Sequence, residues 1–212
     1  MGNHSVHLLI LFLSFQCFLA YHTVAAKPPI KSNPAAIKFI KTSCRATLYP
    51  VLCVQCLSAF ANTVKQSEKQ LAHAALSVSL SRAKSTTNFV SKLTRVRGLK
   101  PREKQAVKDC LDNMSDSVDQ INKSIPELGQ FSAGGDFMWH VSNVQTWVSA
   151  ALTDENTCLD GFSGPGMNGN VKAALRVRIL HVAQVTSNAL ALVNRFADRH
   201  RPSATANNAN LN

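Results

Sequence analysis

Four segments of this chain repeat their apolar residues at alternating spacings of three and four, and this pattern constrains the fold more than any other feature. The first segment shows it at Leu76, Leu80, Ala83, Thr87 and Val90. Residues with this spacing lie along one face of an α-helix. Four such helices joined by short connections bury their apolar stripes best as an up-down-up-down bundle. The sequence therefore predicts an all-α fold.

Glycine, proline and stretches without an apolar pattern mark the ends of these segments. The predicted helices cover residues 64–96, 101–128, 138–152 and 171–196. Gly98 is expected to end the first helix and Pro101 to start the second. The stretch 154–170 contains four glycines and is predicted to be irregular, with Cys158 just past the end of the third helix. Residues 199–212 have no apolar pattern and are predicted to form a disordered tail.

The N-terminus has the features of a secretory signal. Residues 8–20 form an almost unbroken apolar run, which is shorter than the roughly 20 residues that a membrane anchor needs. Small residues around Ala26 place the cleavage site after that position. The predicted division of the chain is a signal peptide at 1–26, one domain at 27–198 that contains a helical hairpin at 34–61 and the bundle at 64–198, and the tail at 199–212.

The chain is strongly basic, with a formal net charge of +11 at pH 7. All of this charge remains after cleavage, because the signal segment has no Lys, Arg, Asp or Glu. A basic surface attracts polyanions. For an exported protein these are acidic polysaccharides, acidic glycans or an acidic partner protein, and not nucleic acid. A basic surface that contacts only solvent is the simpler interpretation.

Five cysteines remain once Cys17 is removed with the signal peptide. They are Cys44, Cys53, Cys56, Cys110 and Cys158. In an oxidising compartment two disulfides and one remaining thiol are expected. A bond between Cys44 and Cys53 would close a short loop around Tyr49-Pro50. Cys56 could compete for Cys44, pack as a small apolar side chain or pair with another molecule; we favour the buried thiol.

The sequence lacks the patterns of a catalytic or metal site. The mature chain has four histidines, His73, His140, His181 and His200. None has a partner at metal-ligand spacing. No phosphate-binding glycine loop and no Gly-x-Ser-x-Gly nucleophile elbow occur. Asp154, Glu155 and Asp160 are close in sequence, but a paired-carboxylate hydrolase needs its carboxylates across a cleft. We therefore predict that the chain is not an enzyme and has no metal or cofactor.

Two N-glycosylation sequons lie in the second predicted helix, at Asn113-Met114-Ser115 and Asn122-Lys123-Ser124. Sequons of this length also occur by chance. Asn113 and Asn122 are therefore candidate glycosylation sites.

Several separated motifs carry a resemblance to a known family. They are Ser43–Cys53, Asp109–Asn113 with Ser115–Asp119, Val144–Thr153, Thr157–Phe162 and Ser187–Val193. In order and spacing, over nearly the whole mature chain, the sequence resembles the plant invertase/pectin methylesterase inhibitor family. The resemblance implies a four-helix bundle with an N-terminal helical hairpin, and disulfides Cys44–Cys53 and Cys110–Cys158. Cys56 lies outside the four-cysteine pattern.

The resemblance also implies a function. Family members act in the cell wall space or the vacuole, where they form a one-to-one complex with a plant pectin methylesterase or an acid invertase and cover its cleft. Invertase inhibitors carry a Pro-Lys-Phe loop, whereas the nearest string here is Ile37-Lys38-Phe39. We therefore favour pectin methylesterase as the target. An invertase inhibitor is the alternative, and a basic wall protein that holds pectin by weak electrostatic contact, without inhibiting an enzyme, is the second.

Candidate partner contacts are the polar residues beside the stripe of the second helix, such as Asp116 and Asp119. From the net charge, a basic inhibitor is expected to associate faster with an acidic enzyme, and salt is expected to slow that association. The predicted location is the apoplast, with no membrane anchor.

Overall fold

The computed structural model describes residues 33–130, 136–164, 167 and 169–201. The signal peptide predicted at 1–26 and its cleavage site lie outside these residues. The helices are α1 (Pro34–Cys44), α2 (Pro50–Leu57), α3 (Ala61–Val64), α4 (Glu68–Leu93), α5 (Pro101–Gly129), α6 (Phe137–Asp160) and α7 (Asn170–His200). A single 3₁₀ turn, Ser58–Phe60, separates α2 from α3.

The four long helices form a closed ring. Each packs against the helix before and after it in the chain, and α7 returns to pack against α4. The described ranges contain no strand, which confirms the predicted all-α up-down-up-down bundle. Within those ranges no helix has the length and apolar character needed to cross a membrane.

Local sequence explains where three of the helices begin. The Asn33 side chain accepts a hydrogen bond from the backbone N–H of Ala35 at 3.0 Å, and a proline follows it at the first helical position. Ser67 caps α4 in the same way, accepting from the N–H of Gln70 at 3.3 Å. At the start of α5, the Glu103 carboxylate accepts from the backbone N–H of Lys100 at 3.0 Å.

The segment predicted as one helix over 64–96 is interrupted near its start. Helix α3 ends at Val64, and Lys65 and Gln66 then adopt left-handed backbone conformations with φ of 46° and 64°. Ser67 starts the new helix. The apolar spacing did not reveal this break because neither Gly nor Pro marks it, and non-glycine residues with positive φ are uncommon. At the far end, the prediction that Gly98 ends the helix was wrong, because the helix ends at Leu93 with Thr94 as its C-cap. Gly98, with φ 81°, lies five residues later, in the turn that leads to α5.

The prediction that residues 154–170 are irregular was wrong for residues 154–160. Helix α6 continues to Asp160, so Cys158 lies inside the helix and not beyond it. Ala151, Glu155 and Cys158 are all buried, at spacings of four and three. They continue the buried face of α6 through a segment that looks polar.

Helix α7 also ends later than expected. It runs to His200 and so includes the first two residues of the predicted tail, which starts at residue 199. The Arg199 guanidinium lies 3.0 Å from the Glu68 carboxylate, and His200 Nδ1 lies 2.8 Å from the Phe196 carbonyl oxygen. These contacts explain why the helix continues without an apolar pattern. The rest of the predicted tail, from residue 202, is outside the described residues.

The N-terminal hairpin belongs to the same core as the bundle. Cys44 and Cys53 are disulfide-bonded across the turn between α1 and α2. The side chain of Asn188, on α7, accepts from the N–H of Tyr49 at 3.1 Å and donates to its carbonyl at 3.0 Å. This pair of hydrogen bonds anchors the hairpin turn to the bundle.

A second disulfide, Cys110–Cys158, links α5 to α6. Both cysteines are about 1% exposed, and they lie in the core cluster that also contains Met114 and Ile179. The bond therefore joins two neighbouring antiparallel helices from within the core.

The two disulfides should differ in their effect on stability. Chain entropy predicts that removing Cys110–Cys158, whose cysteines are 48 residues apart, lowers the free energy of unfolding by about 4 kcal/mol. For Cys44–Cys53, nine residues apart, the same argument gives roughly 3 kcal/mol. Urea unfolding of the C110A/C158A and C44A/C53A variants measures both losses. A larger loss for the hairpin pair would contradict the entropic argument.

Candidate partner-binding surfaces

Charge is segregated between the two halves of the bundle. Helices α4 and α7 together contain nine Lys or Arg residues and only two acidic residues, Glu68 and Asp198. Helices α5 and α6 together contain nine acidic and four basic residues. Because α4 packs on α7 and α5 on α6, the protein has a basic side and an acidic side despite its positive net charge.

The acidic side is centred on a stripe of aspartates along α5. Asp109, Asp112, Asp116 and Asp119 follow one another at spacings of three and four, which places them on one side of the helix, and all four are exposed. Only Asp109 has a side-chain partner within the described residues, Gln105, whose amide donates to it at 2.6 Å. None of the four forms an ion pair with a described cation.

Helix α6 adds one further carboxylate to this stripe. Burial raises the pKa of Asp154, and the nearby negative charge of Asp116 raises it further. Asp154 therefore faces the stripe from the neighbouring helix. We call Asp109, Asp112, Asp116, Asp119 and Asp154 the acidic face.

Polar contacts also join the C-terminal part of α5 to the N-terminal part of α6, on the acidic side of the bundle. The Lys123 ammonium lies 5.0 Å from the centre of the Trp147 ring. Glu127 accepts from Asn143 at 2.7 Å and pairs with His140 at 2.9 Å. The hydrogen bond from Asn143, and to a smaller extent that with His140, lowers the pKa of Glu127. The two helices are thus held together beside the acidic face.

A buried polar cluster crosses the centre of the bundle and takes one residue from each long helix. Glu155 Oε1 accepts from Ser117 Oγ at 2.8 Å and from Thr186 Oγ1 at 2.9 Å. Ser79 Oγ lies 2.7 Å from Thr186 Oγ1. All four residues are fully buried. We call these residues the central polar cluster.

The burial of Glu155 was not predicted from the sequence, although the apolar spacing carried a signal for it. Val141, Val144, Val148, Ala151, Glu155 and Cys158 follow at spacings of three and four and are all buried. Glu155 therefore occupies a core position in the α6 pattern. From the sequence, Glu155 was instead placed in the predicted irregular stretch 154–170, and carboxylates are seldom buried.

Burial changes the protonation of Glu155. The second carboxylate oxygen, Oε2, has no hydrogen-bond partner within the described residues. Loss of hydration raises the pKa of Glu155 from 4.5 to about 7, against the smaller lowering effect of the bonds from Ser117 and Thr186. At mildly acidic pH the group is therefore mainly neutral.

Glu155 should make the fold more stable in acid than at neutral pH. The folded state binds this proton more tightly than the unfolded state, so stability falls as pH rises from 4.5 to about 7. The free energy of unfolding is expected to fall by about 3 kcal/mol, and the loss is complete once the pH is above the folded pKa. Chemical unfolding of Glu155→Gln between pH 4.5 and 8 should show a correspondingly weaker pH dependence. Asp112→Asn, which removes an exposed carboxylate, is the control.

An unchanged pH dependence in Glu155→Gln would contradict this assignment. The substitution keeps the size of the side chain and an acceptor for Ser117 and Thr186. The comparison therefore isolates the titrating proton from the packing.

The other residues singled out in the sequence lie apart from the acidic face or at its edge. Cys56 is a free thiol in α2 that is half-buried, and burial raises its pKa. The two sequon asparagines lie within α5, with Asn113 half-buried and Asn122 exposed. The string Ile37-Lys38-Phe39 forms part of α1 and is not a loop. Within the described ranges, no three His, Cys, Asp or Glu side chains come together as a metal site.

A stapled hairpin on a disulfide-linked four-helix bundle is the architecture of a family of plant proteins. Residues 38–192 match the profile of that family, described as "Plant invertase/pectin methylesterase inhibitor". The chain belongs to this family.

Relatives and a solved structure are similar over most of their length. "Pectinesterase inhibitor 9" of Arabidopsis thaliana is 55% identical over 167 residues, covering 76% of this chain and 82% of that protein. A "21 kDa protein" of Daucus carota is 46% identical over 191 residues, covering 89% and 96%. The crystal structure of a mutant form of a pectin methylesterase inhibitor from Arabidopsis has a TM-score of 0.60 at 21% identity, covering 73% of this chain and 95% of that one. This last likeness concerns the fold alone.

Proposed function

We propose that this protein is a secreted inhibitor of a plant pectin methylesterase and acts in the cell wall. The observation that carries the proposal is its similarity to named pectinesterase inhibitors, 55% identical to one and 45% identical to another over 94% of this chain. The signal peptide predicted from the sequence supports the location. Membership of an inhibitor family favours a role without catalysis.

The proposed mechanism is steric, through a one-to-one complex. Most of the large apolar side chains of the four long helices are buried in the core, so docking depends on their outer faces. A rigid helical surface laid across the cleft of the enzyme would exclude the polymer without any reactive group on the inhibitor. Such a surface loses little conformational entropy on binding.

The acidic face is the part of the surface that we assign to this contact. An enzyme that acts on pectin binds a polymer whose de-esterified sugars carry carboxylates, so its groove needs cationic or hydrogen-bond-donating groups. The aspartates of α5 present carboxylates in a row, without cationic partners among the described residues. They are therefore available to pair with such groups.

The net charge of +11 had suggested steering toward an acidic enzyme. The segregation of charge changes that argument, because short-range pairing depends on the face that docks rather than on the sum over the molecule. We therefore propose that the docking contact is local and acidic, while the basic side faces away from it.

Titration of the purified mature protein against plant pectin methylesterase and acid invertase tests the function. We expect full inhibition of pectin methylesterase at one inhibitor per enzyme and no inhibition of invertase. Inhibition of invertase alone would favour the alternative target. Inhibition of neither enzyme would overturn the proposal.

Charge reversal tests the docking face. Asp116→Lys and Asp119→Lys should each weaken inhibition of pectin methylesterase about tenfold or more, since they place a cation opposite the cationic groups of the groove. Asp198→Lys makes the same charge change at an exposed site on α7 and should leave inhibition within about twofold, as expected of a distant surface charge. Stopped-flow association rates should fall as salt is added. Equal losses in all three variants would assign the effect to net charge and contradict the acidic face as the contact.

A further inference from the structure

A groove runs along the basic side of the bundle, between α4 and α7. Its volume is about 840 Å³, and its walls include charged, polar and apolar side chains. The residues that the argument uses are Arg82, Ser85, Phe89, Val177, Arg178 and Gln184. We call this the α4–α7 groove.

The groove is electropositive. The two arginines are exposed, and the Arg178 guanidinium stacks 4.1 Å from the centre of the Phe89 ring. Burial lowers the pKa of His181, which also lines the groove, and the charge of Arg82 lowers it further. Neither α4 after Glu68 nor α7 before Asp198 contains an acidic residue. The positive field of the arginines is therefore not neutralised along the groove by either helix that forms it.

The same surface continues past Arg82 and His181 into a second hollow. There it is lined by Gln55, Ser77 and Ser81, next to the N-terminal hairpin. From Ser77 to Phe89 the track follows α4 for roughly 18 Å at the rise of an α-helix. It is long and open, which suits an extended chain better than a compact ligand.

We propose that the α4–α7 groove binds a linear polyuronate, the de-esterified form of pectin. Arginine side chains recognise carboxylates through paired N–H donors, and each uronate unit offers one carboxylate. The Ser85 hydroxyl and the Gln184 amide can exchange hydrogen bonds with sugar hydroxyls. Val177 is 72% exposed and offers an apolar surface to the C–H face of a sugar ring.

This mixture favours a polysaccharide over an acidic protein as the occupant. A sugar chain carries carboxylates, hydroxyls and apolar ring faces at short intervals, and the groove has a partner for each. The site lies on the α4 and α7 side, whereas the acidic face is on α5 and α6. The protein can therefore hold wall polymer while its acidic face stays open to an enzyme.

Isothermal titration of the mature protein with a de-esterified oligogalacturonide, in the absence of any enzyme, tests the proposal. We expect saturable binding that weakens with salt, and no binding of the fully methyl-esterified oligomer of the same length. Arg82→Gln/Arg178→Gln should weaken binding about tenfold or more, as loss of charge-assisted hydrogen bonds predicts. Lys104→Gln/Lys108→Gln removes the same charge from exposed sites on α5 and should retain affinity within about twofold.

Further arms separate the competing explanations. Ser85→Glu adds a carboxylate to the groove without removing an arginine and should also weaken binding, which guards against misfolding of the double variant. Equal losses in the two double variants would show non-specific attraction and overturn the proposal. Tighter binding of poly-glutamate than of the oligogalacturonide would indicate an acidic protein partner and overturn it as well.

The outcome does not depend on the inhibitor proposal, because oligosaccharide binding is measured without enzyme. In a parallel assay, Arg82→Gln/Arg178→Gln should inhibit pectin methylesterase as well as the native protein does. Loss of inhibition in this variant would show that the groove belongs to the docking surface, contrary to a separate site. Binding of the oligosaccharide by a protein that inhibits no enzyme would support the groove and contradict the inhibitor proposal alone.

Discussion

Each of the four long helices contributes fully buried apolar side chains to the core. Examples, one from each helix, are Leu76, Met114, Val148 and Ile179. Burial of such side chains contributes on the order of 1.5–3 kcal/mol each relative to exposure. The bundle gains this contribution only when every apolar stripe faces inward. That requirement fixes which side of each helix remains outside, and so it decides which polar residues can meet a partner. The disulfides reinforce an arrangement that the core already requires.

The distribution of charge follows from this arrangement. In a closed ring of four helices the outer surfaces of α4 and α7 adjoin, as do those of α5 and α6. The acidic residues on α5 and α6 and the basic residues on α4 and α7 therefore form two surfaces on opposite sides of the protein. Separation lets each surface attract a different partner, because screening limits exposed charges to about 8–10 Å of influence at physiological salt. A single net charge describes neither surface.

Much of the fold could be predicted from the sequence because apolar spacing reports buried faces directly. The four long helices and their order followed from that spacing, whereas the turn at Gly98 was marked by its glycine. It failed at Lys65 and Gln66, where the backbone turns without glycine, and after Leu152, where polar residues conceal a continuing helix. The acidic face could be predicted only in part. Asp116 and Asp119 stand out beside the α5 stripe, but the approach of Asp154 depends on how α5 packs against α6.

The central polar cluster has a consequence for how the helices are aligned along their axes. Apolar side chains tolerate small displacements, since one methyl group can replace another against the same neighbour. Hydroxyl and carboxylate groups do not, because a shift of one residue moves a helix by about 1.5 Å and breaks a hydrogen bond of ordinary length. Ser79, Ser117, Glu155 and Thr186 meet at one point only when all four helices have the correct axial position. The cluster therefore fixes the axial positions of the four helices more strictly than an entirely apolar core would. It also fixes the positions of the charged residues on the outer helix faces relative to one another.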